Sequence, residues 1–275
     1  MKKNCILFLL LAINTFAQDK FDKKTKPIVE EGKILYRSEM ASWYGTDLFL
    51  EKYKDTEKIG GYFSYPENDV TKCIFVSKDE TPKVIGTMTF DSSFDTNKAD
   101  VNLNERILTN IESDYLSLRK ATETLMSNDT LFKYYENTNL NIVPIIKDGK
   151  KKVYILTGPT KSGYVIFGND YLIEFDKKNN VTLKKQLHKN IIPIEYKTEE
   201  NGGTETMHTH LPETGEFITA TDICTLMLYE KFAQWKNHMV ISKEYVSIWN
   251  CETNDLFIMT TEAMKKISDH GTTKQ

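Results

Sequence analysis

Neither a surplus of basic residues nor a membrane-length apolar segment is present in this chain of 275 residues. Lysine and arginine number 36 against 39 aspartates and glutamates, which gives a net charge of −3 with histidine neutral. We therefore expect no nucleic-acid partner, because no basic block is available to neutralise phosphates. After residue 17, no stretch approaches the roughly 18 to 20 apolar residues of a membrane helix, so we expect no transmembrane segment in the mature protein.

The apolar run near the N-terminus is too short to cross a bilayer. Lys2 and Lys3 precede it, residues 6–16 form it, and Ala17 supplies a small residue after it. This order predicts a secretory signal peptide over residues 1–17 and an exported mature protein, periplasmic or extracellular. Its removal takes away two of the 36 basic residues, so 34 remain against 39 acidic ones, a net charge of about −5.

Cysteine is also scarce, with four in the chain, of which Cys5 lies in the predicted signal peptide. Cys73, Cys224 and Cys251 remain, and an odd number in an exported chain allows at most one intramolecular disulfide. Their spacing does not suggest a cysteine-rich zinc site. We expect buried cysteines, and a bridge between Cys224 and Cys251 stays open.

The order of local patterns predicts an α+β fold, a mixed β-sheet with flanking helices. Residues 18–32 are charged and poor in apolar side chains, which predicts a flexible leader. Residues 33–148 predict a β-rich N-terminal region of unknown role with one long amphipathic helix, capped by Asn102 and Glu105. Residues 149–275 predict a second domain, in which strands flank an apolar helix that begins near Thr219.

Histidine is rare as well, and two of the five stand one residue apart as His208 and His210. In an extended segment residues i and i+2 face the same side, so both imidazoles can converge. Thr219 stands where a helix is predicted to begin, and Asp222 lies in its first turn. Two imidazoles and a carboxylate on two rigid elements form the ligand set of an open Zn²⁺ site. The alternative is a pair of exposed histidines followed by a Thr-x-x-Asp capping pair, which is itself compatible with ligation.

These residues resemble a known motif. His208-Thr209-His210, a short loop, and Thr219-x-x-Asp222 at a helix start are similar to the motif of JAMM (also called JAB or MPN) zinc metallopeptidases, His-x-His, seven residues, Ser-x-x-Asp. The loop here has eight residues, and Thr219 stands in place of serine. The resemblance covers residues 150–267 and implies a C-terminal JAMM-like zinc domain that hydrolyses an amide or isopeptide bond.

The resemblance also implies roles for further residues. Thr219 corresponds to the serine that assists the developing oxyanion. The family's general-base glutamate is expected ahead of the strand at 153–158, where the chain has only the lysines at 150–152. Glu174 and Glu195 are the substitutes that the sequence offers. Two functions follow: a zinc peptidase or isopeptidase with a peptide or protein substrate, or a non-catalytic JAMM-like binding module of the periplasm or cell surface.

Overall fold

The computed structural model describes the backbone of residues 4–196 and 205–272, and the side chains of residues 21–196 and 205–269. Over these residues the protein has an α+β fold with mixed sheets, as the sequence predicts. Its described α-helices are α1 (Asn4–Lys52), α2 (Asn110–Asn128), α3 (Ala220–Ala233) and α4 (Thr261–Thr272). Its described strands are β1 (Ile59–Glu67), β2 (Val70–Ser77), β3 (Val84–Phe90), β4 (Asp100–Asn102), β5 (Thr138–Lys147), β6 (Lys150–Pro159), β7 (Tyr164–Gly168), β8 (Tyr171–Phe175), β9 (Val181–Gln186), β10 (Ile191–Glu195), β11 (Glu205–Thr209), β12 (Asn237–Ile241), β13 (Tyr245–Asn250) and β14 (Asp255–Thr260).

The chain divides into two compact units. The central unit is Ile34–Tyr196, and the terminal unit combines Met1–Lys33 with Lys197–Gln275. This division differs from the sequence-based one at 148/149, because Asp148 and Gly149 form the turn between β5 and β6, which pair along their whole length. Both turn residues have positive φ, 51° and 71°, as a tight hairpin requires. A domain boundary there would separate two strands joined by continuous ladder hydrogen bonds.

The central unit contains two four-stranded sheets and a two-stranded ribbon. The first sheet is an antiparallel meander, β1-β2-β3-β4, and the second has the order β5-β6-β8-β9. Strands β7 and β10 pair as an antiparallel ribbon. Helix α2 packs against β5 and β6, and Leu118 joins Val153 and Ile173 in one buried apolar cluster.

Helix α2 begins later than the predicted cap at Asn102. In the structure Thr109 is the N-cap: its hydroxyl accepts from the backbone N–H of Glu112, whose carboxylate accepts from the N–H of Thr109. Arg106 explains the shift, because its backbone bridges to Val84 and its guanidinium donates two hydrogen bonds of 2.7 Å to Glu112. The bidentate ion pair stabilises this later capping box.

Residues 21–32 are helical, which differs from the flexible leader predicted over 18–32. Phe21, Thr25, Ile28 and Gly32 follow one another at helical spacing and are buried or half-buried, whereas Lys23 and its charged neighbours are exposed. Two of the four inward positions are a threonine and a glycine. The segment therefore contains few apolar residues, although one of its faces is buried.

That face contacts the rest of the terminal unit. The ring of Phe21 packs edge-on against Phe217 and Tyr245, with centroid distances of 6.3 and 5.4 Å. A Cβ atom at Gly32 would lie 2.7 Å from the side chain of Ile223. Helix α1 and helix α3 therefore approach each other closely at Gly32.

The sheet of the terminal unit has the order β11-β12-β13-β14. Strands β11 and β12 are parallel, and helix α3 lies in the connection between them, as a parallel pair requires. The remaining pairs are antiparallel, and α4 contacts β13 and β14. Ten of the fourteen residues of α3 are buried, as its apolar composition predicts.

Two expectations concern the whole described chain. Cys73, Cys224 and Cys251 are all buried, and the described residues include no disulfide. Among the helices in the described part of the chain, none combines the length and the apolar character that a membrane crossing needs.

Candidate metal centre

The alternation of strand β11 sets the direction of its histidines. Glu205, Met207 and Thr209 are exposed, whereas His208 and His210 are 5% and 8% exposed. The backbone N–H of His210 donates to the carbonyl of Ile241 at 2.8 Å and so continues the ladder beyond the end of β11. Both imidazoles therefore point to the buried face of the sheet, as their i, i+2 spacing predicts.

The parallel connection brings a carboxylate to the same place. In a β-α-β unit, the carboxyl end of the first strand and the N-terminus of the following helix lie at one edge of the sheet. Thr219 is the N-cap of α3 and Asp222 is its third residue, with the reciprocal hydrogen bonds of a capping box. One hydrogen bond holds the loop before the helix: the N–H of Ile218 donates to the buried Ser247 hydroxyl at 3.0 Å.

His208, His210 and Asp222 converge in the structure. The Nε2 atoms of the two histidines are 3.2 Å apart. The carboxylate of Asp222 places Oδ2 3.2 Å from His210 Nε2 and Oδ1 3.6 Å from His208 Nε2. Of these three residues, His210 and Asp222 belong to a buried His/His/Asp group that could hold a metal ion.

These separations can be set beside the donor spacing of a tetrahedral metal ion, for which zinc provides the bond lengths. Zinc–nitrogen bonds of roughly 2.0 to 2.1 Å and zinc–oxygen bonds of roughly 2.0 to 2.2 Å, at tetrahedral angles, place ligand atoms roughly 3.3 to 3.5 Å apart. The three observed separations, 3.2, 3.2 and 3.6 Å, lie on either side of that range. The two distances to Asp222 end on different oxygens, Oδ2 for His210 and Oδ1 for His208, so a tetrahedral ion would need one of these oxygens to face both nitrogens.

Asp222 is held by the cap of its own helix. Its Oδ2 accepts from the Thr219 hydroxyl at 2.7 Å and from the Thr219 N–H at 2.9 Å. The positive end of the helix dipole also favours the anionic carboxylate there. The hydroxyl proton of Thr219 is therefore directed to Asp222, and this geometry gives Thr219 the role of holding the carboxylate. A role of Thr219 in stabilising an oxyanion stays a prediction.

A third histidine, for which the local sequence pattern predicts no role, joins the cluster. His238 on β12 is completely buried, and its Nε2 lies 2.8 Å from His208 Nδ1. Its Nδ1 lies 2.7 Å from the hydroxyl of Thr206. Burial, followed by the charge of His208, holds the pKa of His238 at about 3, so its imidazole is neutral. The only signal in the sequence was the rarity of histidine, because the parallel register of β11 and β12 sets this contact.

The two glutamates predicted as general bases lie in the central unit. Glu174 is on β8, where it pairs with Lys152 and Leu183 in the sheet register, and it is half-buried. Glu195 ends β10 and is exposed. Their catalytic role stays a prediction.

The comparisons with known proteins find no counterpart. No family model, no curated protein and no solved structure matches this chain. The likeness to the JAMM motif therefore rests on the residues themselves: His208, His210, Thr219 and Asp222.

Proposed function

We propose that this chain is an exported zinc-binding protein with a JAMM-like centre. The ligands are His208 Nε2, His210 Nε2 and the carboxylate of Asp222. The observation that carries the proposal is the convergence of three buried donor groups, 3.2 to 3.6 Å apart, from a strand and a helix N-terminus. His208 lies on β11 and Asp222 on α3. His210 directly follows β11, where its N–H donates to the carbonyl of Ile241, so no ligand depends on a loose loop.

The donor set favours zinc. Two imidazole nitrogens and one carboxylate oxygen are typical of catalytic zinc sites, in which a fourth position is left for water or substrate. Sites for magnesium or calcium consist of oxygen ligands instead. The positive end of the α3 dipole favours the anionic form of Asp222, which is the form that a metal ligand needs.

Metal analysis of the purified protein tests the site directly. We expect about one zinc per chain, and its loss when His208 and His210 are both replaced by alanine. The control is His270→Ala, which removes a histidine outside the proposed ligand set and should leave the zinc content unchanged. Equal zinc content in the double variant and the wild type would overturn the proposed site.

The activity that suits such a centre is hydrolysis of an amide or isopeptide bond in a peptide or protein. Zinc in this position would lower the pKa of a water ligand and polarise the carbonyl of the substrate. Residues of the chain would bind the ion, orient its ligand and accept the proton. His208, His210 and Asp222 bind the ion, Thr219 orients Asp222, and a glutamate accepts the proton.

Glu174 and Glu195 are the candidates for that glutamate, and each is tested by substitution with glutamine. Loss of a general base lowers the rate by a factor of about 100 to 10,000, whereas loss of a surface carboxylate changes it little. Peptide and isopeptide hydrolysis should be measured at confirmed equal zinc content. If neither variant loses activity in an active protein, both assignments fail.

A specific observation favours the second function, a non-catalytic JAMM-like module that binds a peptide or protein partner. The side chains of His208, His210 and Asp222 are only 1% to 2% exposed. Closed metal sites are typical of structural rather than catalytic zinc. A zinc-loaded wild type that hydrolyses neither peptides nor isopeptides would support the module.

Export is part of the proposal and has its own test. The charged start, the short apolar run and Ala17 support a signal peptide that is cleaved before Gln18. N-terminal sequencing of protein recovered outside the cytoplasm should therefore begin at Gln18. A protein that keeps its first seventeen residues would contradict export by this signal.

A further inference from the structure

His238 lies directly behind the proposed ligand His208. It belongs to β12, and the register of the parallel pair places it opposite Thr206 on β11. Thr206, His208 and His210 alternate along one face of the strand, so a single row of polar side chains runs along the buried side. Within that row, His238 Nε2 is 2.8 Å from His208 Nδ1, and His238 Nδ1 is 2.7 Å from Thr206 Oγ1.

We propose that His238 is a positioning residue that accepts a hydrogen bond from the Nδ1–H of His208. This bond presents the Nε2 lone pair of His208 to the metal, and Thr206 holds His238 in the tautomer that the bond requires. The proposal rests on the proposed zinc site, and adds a residue outside its ligand set.

The direction of each hydrogen bond follows from the chemistry of imidazole. A neutral histidine that binds metal through Nε2 carries its proton on Nδ1. His208 Nδ1–H then donates to His238 Nε2, so His238 must carry its own proton on Nδ1. The Nδ1–H of His238 then donates a hydrogen bond to the hydroxyl oxygen of Thr206. A chain of two bonds thus links the hydroxyl of Thr206 to the side of His208 remote from the metal.

Because His238 is buried, the loss of either of its hydrogen bonds should matter. His238 is 0% exposed, so water does not substitute for a lost partner, and its ring packs against Trp235 with centroids 5.8 Å apart. Ligand histidines in metal sites are usually oriented by a hydrogen bond from their second nitrogen to a carboxylate, carbonyl or water. Here a neutral imidazole occupies that position.

The experiment compares zinc affinities by competition with a chromophoric chelator. His238→Phe keeps a planar ring beside Trp235 but removes the acceptor, so we expect zinc affinity about 10- to 100-fold lower than in the wild type. His238→Gln restores an acceptor near the Nε2 position and should recover part of that loss. Nitrogen-15 NMR of the wild type should show His238 protonated at Nδ1, a signature that packing alone would not dictate.

A matched pair of threonines keeps the test decisive if His238→Phe does not fold. Thr206→Val removes the outer acceptor, whereas Thr209→Val changes the exposed face of the same strand. We expect Thr206→Val to bind zinc more weakly than the wild type and Thr209→Val to bind it as tightly as the wild type. Equal zinc affinity in the two variants would overturn the inference. Wild-type affinity in a folded His238→Phe variant, or His238 protonated at Nε2, would also overturn it while leaving the zinc site standing. A wild type that binds no zinc would instead overturn the proposed function itself, and the inference with it.

Discussion

Thr219 connects the start of helix α3 to the proposed ligand Asp222. Its hydroxyl donates to Asp222 Oδ2 at 2.7 Å and accepts from the Asp222 N–H at 3.2 Å. Thr219→Val removes both bonds with little change in shape. We expect it to lower the free energy of unfolding by about 0.5 to 2 kcal/mol and to weaken zinc binding, because the carboxylate loses its orientation. Chemical denaturation and metal competition measure the two effects.

The control for that prediction is Thr219→Ser, which keeps the hydroxyl and corresponds to the serine of the JAMM motif. It should behave as the wild type in both measurements. A Thr219→Val variant with unchanged stability would show that the capping box contributes nothing measurable to α3.

A second residue-scale prediction concerns pH. Burial raises the pKa of Glu230 to about 7, although the Trp249 indole N–H, which donates to its Oε2 at 3.4 Å, lowers it. A raised pKa means that the folded state favours the neutral acid. The stability that Glu230 contributes is therefore present below about pH 4.5 and is lost as the pH rises through about 7.

Glu230→Gln tests this dependence, because glutamine is neutral at every pH. We expect the stability of the variant relative to the wild type to increase between about pH 5 and pH 8, as measured by chemical denaturation. The exposed Glu252→Gln variant should show no such trend. A difference between wild type and Glu230→Gln that stays constant across this range would contradict the prediction.

At the scale of elements, the contact between α1 and α3 depends on Gly32. An alanine there gains up to about 1 kcal/mol of helix propensity. Its Cβ, however, would lie 2.7 Å from the Ile223 side chain and 3.0 Å from the carbonyl oxygen of Ala220. Overpacking of this kind costs about 1 to 3 kcal/mol. The clash outweighs the propensity, and we expect Gly32→Ala to destabilise the protein by about 1 to 2 kcal/mol.

The matched control is Lys23→Ala on the exposed face of the same helix, which should change stability by less than about 0.5 kcal/mol. Thermal and chemical unfolding of both variants give the comparison. A Gly32→Ala variant that is more stable than the wild type would mean that α1 and α3 separate easily at this point.

At the scale of the whole molecule, binding of zinc should raise the stability of the folded protein. A ligand that binds only the folded state stabilises it by about 2.7 kcal/mol at a free concentration 100-fold above its dissociation constant. We therefore expect the melting temperature to rise with added zinc and to fall on chelation. The double variant His208→Ala with His210→Ala should show neither change. A melting temperature of the wild type that is insensitive to zinc would contradict the proposed site.

The sequence by itself determined the features that depend on local periodicity. The i, i+2 spacing of His208 and His210 places both on one face wherever the strand lies. Thr219 and Asp222 mark a helix start through their capping chemistry, and the structure has that start. The α+β class followed from the alternation of strand and helix patterns. Each of these depends on neighbours within a few residues.

Only the tertiary structure decided which distant segments meet. The contact of His238 with His208 spans thirty residues and depends on the parallel register of β11 and β12. The late start of α2 depends on Arg106, whose backbone is held by another strand. Residues 21–32 are helical, and at Gly32 their helix packs closely against α3, a segment almost two hundred residues away in the chain. Local patterns carry no information about such pairings, because their free energy comes from contacts between residues far apart in the chain.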